Sequence, residues 1–272
     1  MAKTFSENFR ITDGKGFDLS KIDTRDTCGF DDKEKAKVQT EEDAAAIDQL
    51  QDRLFAEGKR ALLVVLQGID TSGKDGTVRG VFNTSGPIGV HVHPFKAPTA
   101  DELAHDYLWR IHQVCPARGY IGIFNRSHYE DVLVVKVRKF APADVIEKRY
   151  EQINAFEKLL GETGTRVLKF MLHISKDEQA ERLQARVDDP TKRWKFNPGD
   201  LDDRLLWDQF MAEYQTIVRK CATAHAPWHV IPADRKWVRN AVIGRIVRET
   251  LEEMNPQYPA PKDWDPATVK IV

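Results

Sequence analysis

Cysteine is scarce in this 272-residue chain. Cys28, Cys115 and Cys221 are odd in number, far apart and never in a Cys-x-x-Cys pair. That excludes a disulfide framework and a cysteine zinc site, and a cytoplasmic location is expected. Long apolar runs are also missing. No stretch reaches transmembrane length and residues 1–10 are polar rather than signal-like, so a soluble chain without a membrane partner is expected. Net charge is lacking too: 41 Lys and Arg against 42 Asp and Glu leave −1. Near-neutrality excludes bulk nucleic-acid binding, so an anion site has to be a local basic cluster. No internal repeat, low-complexity tract or Gly-x-Ser-x-Gly element occurs. His91 and His93 share a strand face, and His225 and His229 flank Pro227-Trp228. No third ligand has the spacing for zinc.

What the chain does have is an apolar run, Leu62-Leu63-Val64-Val65-Leu66, leading into Gly68-Ile69-Asp70-Thr71-Ser72-Gly73-Lys74-Asp75-Gly76. Strand, Gly-x-x-x-x-Gly-Lys loop and helix in that order form a phosphate-binding P-loop. Gly68 and Gly73 let successive N–H groups point at an anion, the helix start adds partial positive charge, and Lys74 adds a full one. Ser72, Asp75 and Gly76 complete the candidate phosphate-binding loop. The residue after Lys74 is Asp75 rather than the Ser or Thr whose hydroxyl ordinarily reaches Mg²⁺, and Asp70 sits inside the loop. Two carboxylates beside a polyanion repel it unless a divalent cation bridges them. Asp75 also suits a helix cap. Asp70 is the better metal candidate.

Periodicity predicts a helix over 41–57, strands at 61–67, 88–95, 119–124, 166–174 and 228–231, and helices at 99–115, 142–160, 175–187, 201–222 and 236–254. Short helices are expected after Lys74 and after His128. Thr99 with Glu102 and Ser175 with Glu178 have capping-box spacing. Apolar strands alternating with helices imply a five-stranded parallel sheet covered on both faces, a three-layer α/β/α domain. The expected organisation is an extended arm over 1–40, a catalytic domain over 41–258 with a lid near 186–200, and a tail over 259–272. The Trp and Phe residues at helical spacing are expected in the core.

The third strand ends in Asn125-Arg126-Ser127-His128-Tyr129-Glu130. P-loop enzymes commonly place a metal-holding Asp there, so Asn125, neutral but with a carbonyl able to accept from metal-bound water, shifts the metal burden to Asp70. Arg126 leaves the carboxyl end of the sheet, where open α/β folds bind ligands, and is shaped for bidentate phosphate contact. Glu130 is a candidate for nucleotide contact or helix capping. Residues 186–198 bring Arg186, Lys192, Arg193 and Lys195 together with Trp194 and Phe196 between two prolines. Beside a P-loop, such a loop suits mobile cations closing over a transferring phosphoryl group. Lys96 and Arg118, near predicted strand ends, extend the candidate basic track.

These segments together resemble the polyphosphate kinase 2 family: Gly68-x-Asp70-x-x-Gly73-Lys74-x-Gly76, Phe124-Asn125-Arg126-Ser127-x-Tyr129, and Asp188-Asp189-Pro-x-Lys-Arg-Trp-Lys-Phe. The resemblance spans about residues 40–258. It implies a P-loop kinase fold and Mg²⁺-dependent, reversible phosphoryl transfer between inorganic polyphosphate and nucleotides, with Mn²⁺ as a substitute metal. By the same resemblance Asp70, Lys74 and the lid cations grip the polyphosphate end and the metal, and Arg126 and Arg186 clamp the transferring group. Asn125, where the family often has Asp, is similar to the subgroup that accepts nucleoside monophosphates as well as diphosphates. The expected substrates are AMP, ADP and ATP, with guanine nucleotides as further candidates, and the expected assembly is a dimer or tetramer.

The acceptor is itself a phosphate oxygen, largely ionised at neutral pH because its second pKa lies near about 6, so no strong general base is required. Catalysis then rests on alignment and charge neutralisation. The rival reading is an ATP-dependent nucleoside or nucleotide kinase, which would more often keep Ser or Thr after Lys74. A GTPase-like switch is weaker. There is no Asn-Lys-x-Asp, and Asp26–Gly29, the Asp-x-x-Gly outside the loop, precedes the P-loop.

Overall fold

The computed structural model describes residues 4–261 and 268–271. Six strands, β1 (Arg10–Ile11), β2 (Ala61–Gln67), β3 (Val90–Pro94), β4 (Ile121–Asn125), β5 (Thr165–His173) and β6 (Trp228–Pro232), form one sheet in the order β1-β6-β5-β2-β4-β3. The five expected parallel strands are present as β2 to β6. The sheet nonetheless has a sixth strand, because β1 from the arm pairs antiparallel with β6, Arg10 opposite His229. A two-residue strand carries too little alternation to be read from sequence. Every residue of β2 and β6 is buried, so the sheet's centre is covered on both faces. The edge strand β3 is largely exposed, against the expectation of full coverage.

β2 lies between β4 and β5, with Leu66 beside both Asn125 and Phe170. Asn125 therefore does end the strand next to the P-loop strand. The connecting helices are α1 (Lys33–Glu57), α2 (Lys74–Val81), α3 (Ala100–Leu103), α4 (Trp109–His112), α5 (Val134–Val137), α6 (Ala143–Glu162), α7 (Lys176–Asp188), α8 (Gly199–Leu205), α9 (Trp207–Cys221) and α10 (Lys236–Met254). α1, α2 and α10 pack on one another, as do α5, α6 and α9.

Several helix bounds differ from the periodicity. α1 starts eight residues early because the Asp32 side chain accepts from the Lys35 N–H at 2.7 Å, an N-cap. The predicted 99–115 helix breaks after the Thr99/Glu102 capping box, where the Asp106 carboxylate takes the Leu108 N–H at 3.0 Å and restarts the chain as α4. The 201–222 helix breaks at Leu206 into α8 and α9. Gly161 does not close α6; the turn into β5 is made at Gly164, whose φ of 98° suits glycine.

The arm is not an extended appendage. Phe5, Phe9, Phe17, Ile22 and Phe30 pack against the core, and Leu19 is buried in it. At Gly14 a Cβ would lie 2.4 Å from the Arg219 backbone, so only glycine lets the arm approach α9 this closely. In the expected tail, residues 262–267 and 272 lie outside the described residues. Among the described residues the three cysteines are free, and no helix is long and apolar enough to cross a membrane.

Candidate phosphoryl-transfer cleft

The loop from β2 to α2 folds as the glycine spacing requires. Gly68 has φ 153°, and a Cβ there would meet Ser72 Oγ at 2.6 Å and the Leu172 carbonyl at 2.8 Å. Gly73, at φ 105°, is the N-cap of α2, and a Cβ there would lie 1.8 Å from Arg239 Nη1. Thr71 takes a left-handed φ of 67°, a strained conformation for a β-branched residue. Lys74 Nζ is buried and donates back to the carbonyls of Gly68 at 2.6 Å and Ile69 at 3.3 Å. Burial and then the nearby Arg126 lower its pKa to about 8. The hydroxyls of Thr71 and Ser72 are buried with no hydrogen-bond partner among the described residues. Two such donors in a phosphate-shaped loop fit an oxyanion ligand.

Arg126 also has a positive φ, 64°, which turns the chain off the end of β4. Its guanidinium donates to Asp70 in a short ion pair and lies 3.5 Å from Glu130, which in turn accepts from Gln67 Nε2 at 3.2 Å. Burial opposes the charge on Arg126, but Glu130 and Asp70 outweigh it and raise its pKa further. Asn125 Nδ2 donates to Asp75 Oδ1 at 2.6 Å. Since a carboxylate only accepts, the amide must face it through nitrogen, leaving the Asn125 carbonyl free for another partner. Among the described residues no three His, Cys, Asp or Glu side chains are grouped as a metal cage. The donor chemistry still suits Mg²⁺, which is commonly held by one or two carboxylates with waters and substrate phosphates; Asp70 is such a carboxylate, in the loop itself.

Asp70, Thr71, Gly73, Lys74, Asp75, Gly76, Asn125 and Arg126 line a cleft of about 730 Å³ at the carboxyl edge of the sheet, whereas Gly68, Ser72 and Glu130 are not part of its lining. Eight cations face it, Lys74, Arg126, Arg182, Arg186, Lys192, Lys195, Lys236 and Arg239, against the carboxylates of Asp70, Asp75, Glu178 and Glu181. In a chain of net charge −1 this is a concentrated positive site. From the lid, Arg186 donates to the Lys195 carbonyl at 3.3 Å and lies 3.4 Å from Asp200, tying the end of α7 to α8. Lys192 pairs with Asp189 at 2.6 Å, and Lys195 lies 5.0 Å from the Trp194 ring. Trp194 itself is 76% exposed. It is not core, in contrast to Trp207 and Trp228.

Of the expected phosphate-binding cations, three are not brought to the cleft lining. Arg193 turns its Nε onto the Val187 carbonyl at 2.8 Å. Lys96 is exposed beyond the end of β3, next to the lining residue Phe95. Arg118 is exposed before the amino end of β4, at the opposite edge of the sheet from the P-loop. For Arg118, position near a strand end was the wrong signal without asking which end; Lys96 is at the right edge but is exposed outside the lining.

Sequence reasoning missed Arg182, Lys236 and Arg239. All three lie on helices that leave the carboxyl ends of β5 and β6, where ligands of such sheets sit, Lys236 and Arg239 in the first turn of α10 and Arg182 midway along α7, and that placement could have flagged them. Arg239 is 3% exposed beneath Gly73 and Gly76, and burial and then Arg182 lower its pKa to about 9. Its hydrogen bonds go to the Asn240 side chain and the Ser72 carbonyl. Without a carboxylate partner among the described residues, it is a cation held ready for an anion.

Comparison with known proteins identifies the family and the fold. The family described as Polyphosphate kinase 2 (PPK2) matches residues 30–259. The chain is 48% identical over 271 residues to an AMP/ADP-polyphosphate phosphotransferase of Meiothermus ruber, covering 98% of this chain and 99% of that one. It is 36% identical to an ADP-polyphosphate phosphotransferase of Rhodopseudomonas palustris, over 94% of this chain and 93% of the relative. The crystal structure of polyphosphate kinase 2 from Arthrobacter aurescens TC1 superposes with a TM-score of 0.93 at 43% identity, covering 98% of this chain and 95% of that one.

Proposed function

The chain belongs to the polyphosphate kinase 2 family, and from that premise we propose that it moves phosphoryl groups reversibly between inorganic polyphosphate and adenine nucleotides, accepting both AMP and ADP. The observation that carries this reading is the charge of the cleft. Its excess of cations runs from the P-loop past Arg239 and Lys236 to the lid, an array suited to a phosphate chain.

In this reading the P-loop amides, Lys74 and the buried hydroxyls of Thr71 and Ser72 hold the donor phosphate, and Arg239 supports the loop's charge from beneath. Arg126, aimed by its left-handed turn, clamps the transferring group, and Arg186 holds the lid root against α8. Asp70 and the Asn125 carbonyl would hold Mg²⁺, with Mn²⁺ able to replace it; when bound, the metal neutralises phosphate charge. The acceptor phosphate is already ionised, so positioning and charge supply the rate. Asn125 and Glu130 face the acceptor side. The neutral Asn125 spares a monophosphate, which must come one unit deeper than a diphosphate, the repulsion of a second fixed carboxylate beside Asp75.

The test is incubation of the purified protein with AMP or ADP, Mg²⁺ and polyphosphate in the absence of ATP, with adenylate kinase excluded. The expected products are ADP and then ATP from AMP. Turnover only with ATP as donor would replace this reading with an ATP-dependent kinase. Activity on ADP with none on AMP would place the chain with diphosphate-specific relatives.

A further inference from the structure

Arg182 lines the cleft, yet every one of its five N–H donors is spent on protein. Nε donates to Glu178 at 2.7 Å; Nη1 donates to the P-loop carbonyls of Thr71 at 2.9 Å and Ser72 at 3.1 Å. Nη2 donates to the carbonyls of Ala233 at 2.6 Å and Asp234 at 2.9 Å. A guanidinium with five satisfied donors has none left for a phosphate oxygen. What it does hold is the strained part of the loop, including the left-handed Thr71.

The second half of this staple is Asp234, buried after β6. The spacing of Ser175 and Glu178 predicts a reciprocal capping box on α7. Only half of it forms: Ser175 Oγ accepts from the Glu178 N–H at 3.1 Å, while the Glu178 carboxylate turns to Arg182. The Ser175 N–H goes instead to Asp234 Oδ1 at 2.8 Å. The other oxygen, Oδ2, accepts from Thr24 Oγ1 at 2.8 Å, and the Asp234 N–H donates to the Thr24 carbonyl at 3.2 Å. Arg25 lies 3.6 Å from the same oxygen, and Arg235 returns a hydrogen bond to the Arg25 carbonyl at 2.6 Å. Thr24 and Arg25 belong to the arm, far in sequence from every cleft residue.

We propose that the arm is a working part of the transferase: through Thr24 and Asp234 it fixes the start of α7 and the Arg182 staple, and so sets the shape of the P-loop. Arg182, Asp234 and Thr24 are then positioning residues rather than phosphate ligands. The inference rests on the cleft being the polyphosphate site, and wild-type turnover tests that separately.

The experiment compares Thr24→Val, Thr24→Ser, Asp234→Asn and Arg182→Lys in the full chain. It reads kcat, the KM for polyphosphate at several salt concentrations, and hydrogen exchange at the amides of residues 68–75. Thr24→Val removes one hydrogen bond to a buried carboxylate and should lower kcat roughly tenfold, with KM moving less. Faster exchange across the P-loop should accompany it, and Thr24→Ser should restore both. Asp234→Asn should act in the same direction, and Arg182→Lys with Thr24→Val should be less than additive, because both act through one staple. Wild-type kcat and loop exchange in Thr24→Val would overturn the proposal. So would an Arg182→Lys protein whose defect is a salt-dependent rise in KM at unchanged kcat, the signature of a phosphate ligand. A wild-type protein inactive with polyphosphate would refute the functional reading instead, and loop exchange would still judge the staple.

Discussion

Replacing Asn125 by Asp should set two carboxylates against each other where one hydrogen bond now stands. Asn125 Nδ2 lies 2.6 Å from Asp75 Oδ1. The substitution first removes a hydrogen bond to a charged acceptor, worth about 1.5–3 kcal/mol. It then adds like-charge repulsion. At a relaxed separation of about 4 Å this is roughly 1 kcal/mol in water and about 4 kcal/mol at the effective dielectric of a protein surface. Asp75 is exposed and Asn125 half-buried, so the repulsion belongs toward the lower figure, and the total is about 2–5 kcal/mol. A divalent cation bridging the pair offsets the repulsive part.

The assay is urea denaturation of wild type, Asn125→Asp, Asp75→Asn and the double variant, each with EDTA and with Mg²⁺. Asn125→Asp should lose stability in EDTA and recover part of it with Mg²⁺, and the double variant should lie above Asn125→Asp in EDTA. The same substitution should impair phosphorylation of AMP more than that of ADP. Wild-type stability of Asn125→Asp in EDTA, or equal losses on AMP and ADP, would refute the reasoning at its electrostatic or its specificity step.

Asp70→Asn should keep the fold and lose most activity, with Asp75→Asn losing less; near-normal turnover of Asp70→Asn at limiting Mg²⁺ would remove Asp70 as the metal carboxylate. Arg186→Ala and Lys192→Ala should weaken polyphosphate use, the deficit shrinking as salt rises, whereas Arg193→Ala, which turns toward a lid carbonyl, should weaken it less. Lys74, with its pKa lowered to about 8, is charged below that pH and loses its proton above it. Therefore kcat/KM for polyphosphate should fall as pH rises through about 8, and a Lys74→Arg variant should lack that limb. Burial pushes His173 and His229 down to about 4, so their contribution to stability is intact above the unfolded value of about 6.5 and is lost as pH falls from there toward 4. Asp131, raised to about 6 by burial, works the other way over the same window, and urea midpoints between pH 7 and 4 should still fall.

The P-loop and its flanking elements were legible because their information is local. An apolar strand, a glycine spacing and a helix start lie within sixteen residues, and Leu66 finds Asn125 because parallel neighbours align their carboxyl ends. Other features depend on distant partners. Lys169 sits in the middle of β5, fully buried, which periodicity alone argues against. It is tolerated because Glu157 on α6 lies at 2.6 Å, Tyr129 at 2.7 Å and the Cys221 carbonyl at 2.8 Å. The residues of the arm showed little periodicity because it is held by single aromatic anchors and backbone contacts rather than by one regular face.

Charge type was legible in the site, but charge availability was not. Arg182 and Arg186 lie one turn apart on α7, yet the first has every donor occupied and the second closes the root of the lid. Lys192 is already matched by Asp189, and Arg126 by Asp70. Lys195 lies over the Trp194 ring, and the other three that remain are marked by their titration. Lys74, Lys236 and Arg239 all have lowered pKa values, each from burial first and from neighbouring positive charge next. Such groups are destabilised as cations by the fold itself. On the reading proposed above, phosphate held by the loop and lid supplies the missing counter-charge, directly at Lys74 and Lys236 and through the loop for the buried Arg239. Cations of low tolerance arise here only because helices leaving separate strand ends meet at the cleft, which is why the sequence alone does not single them out.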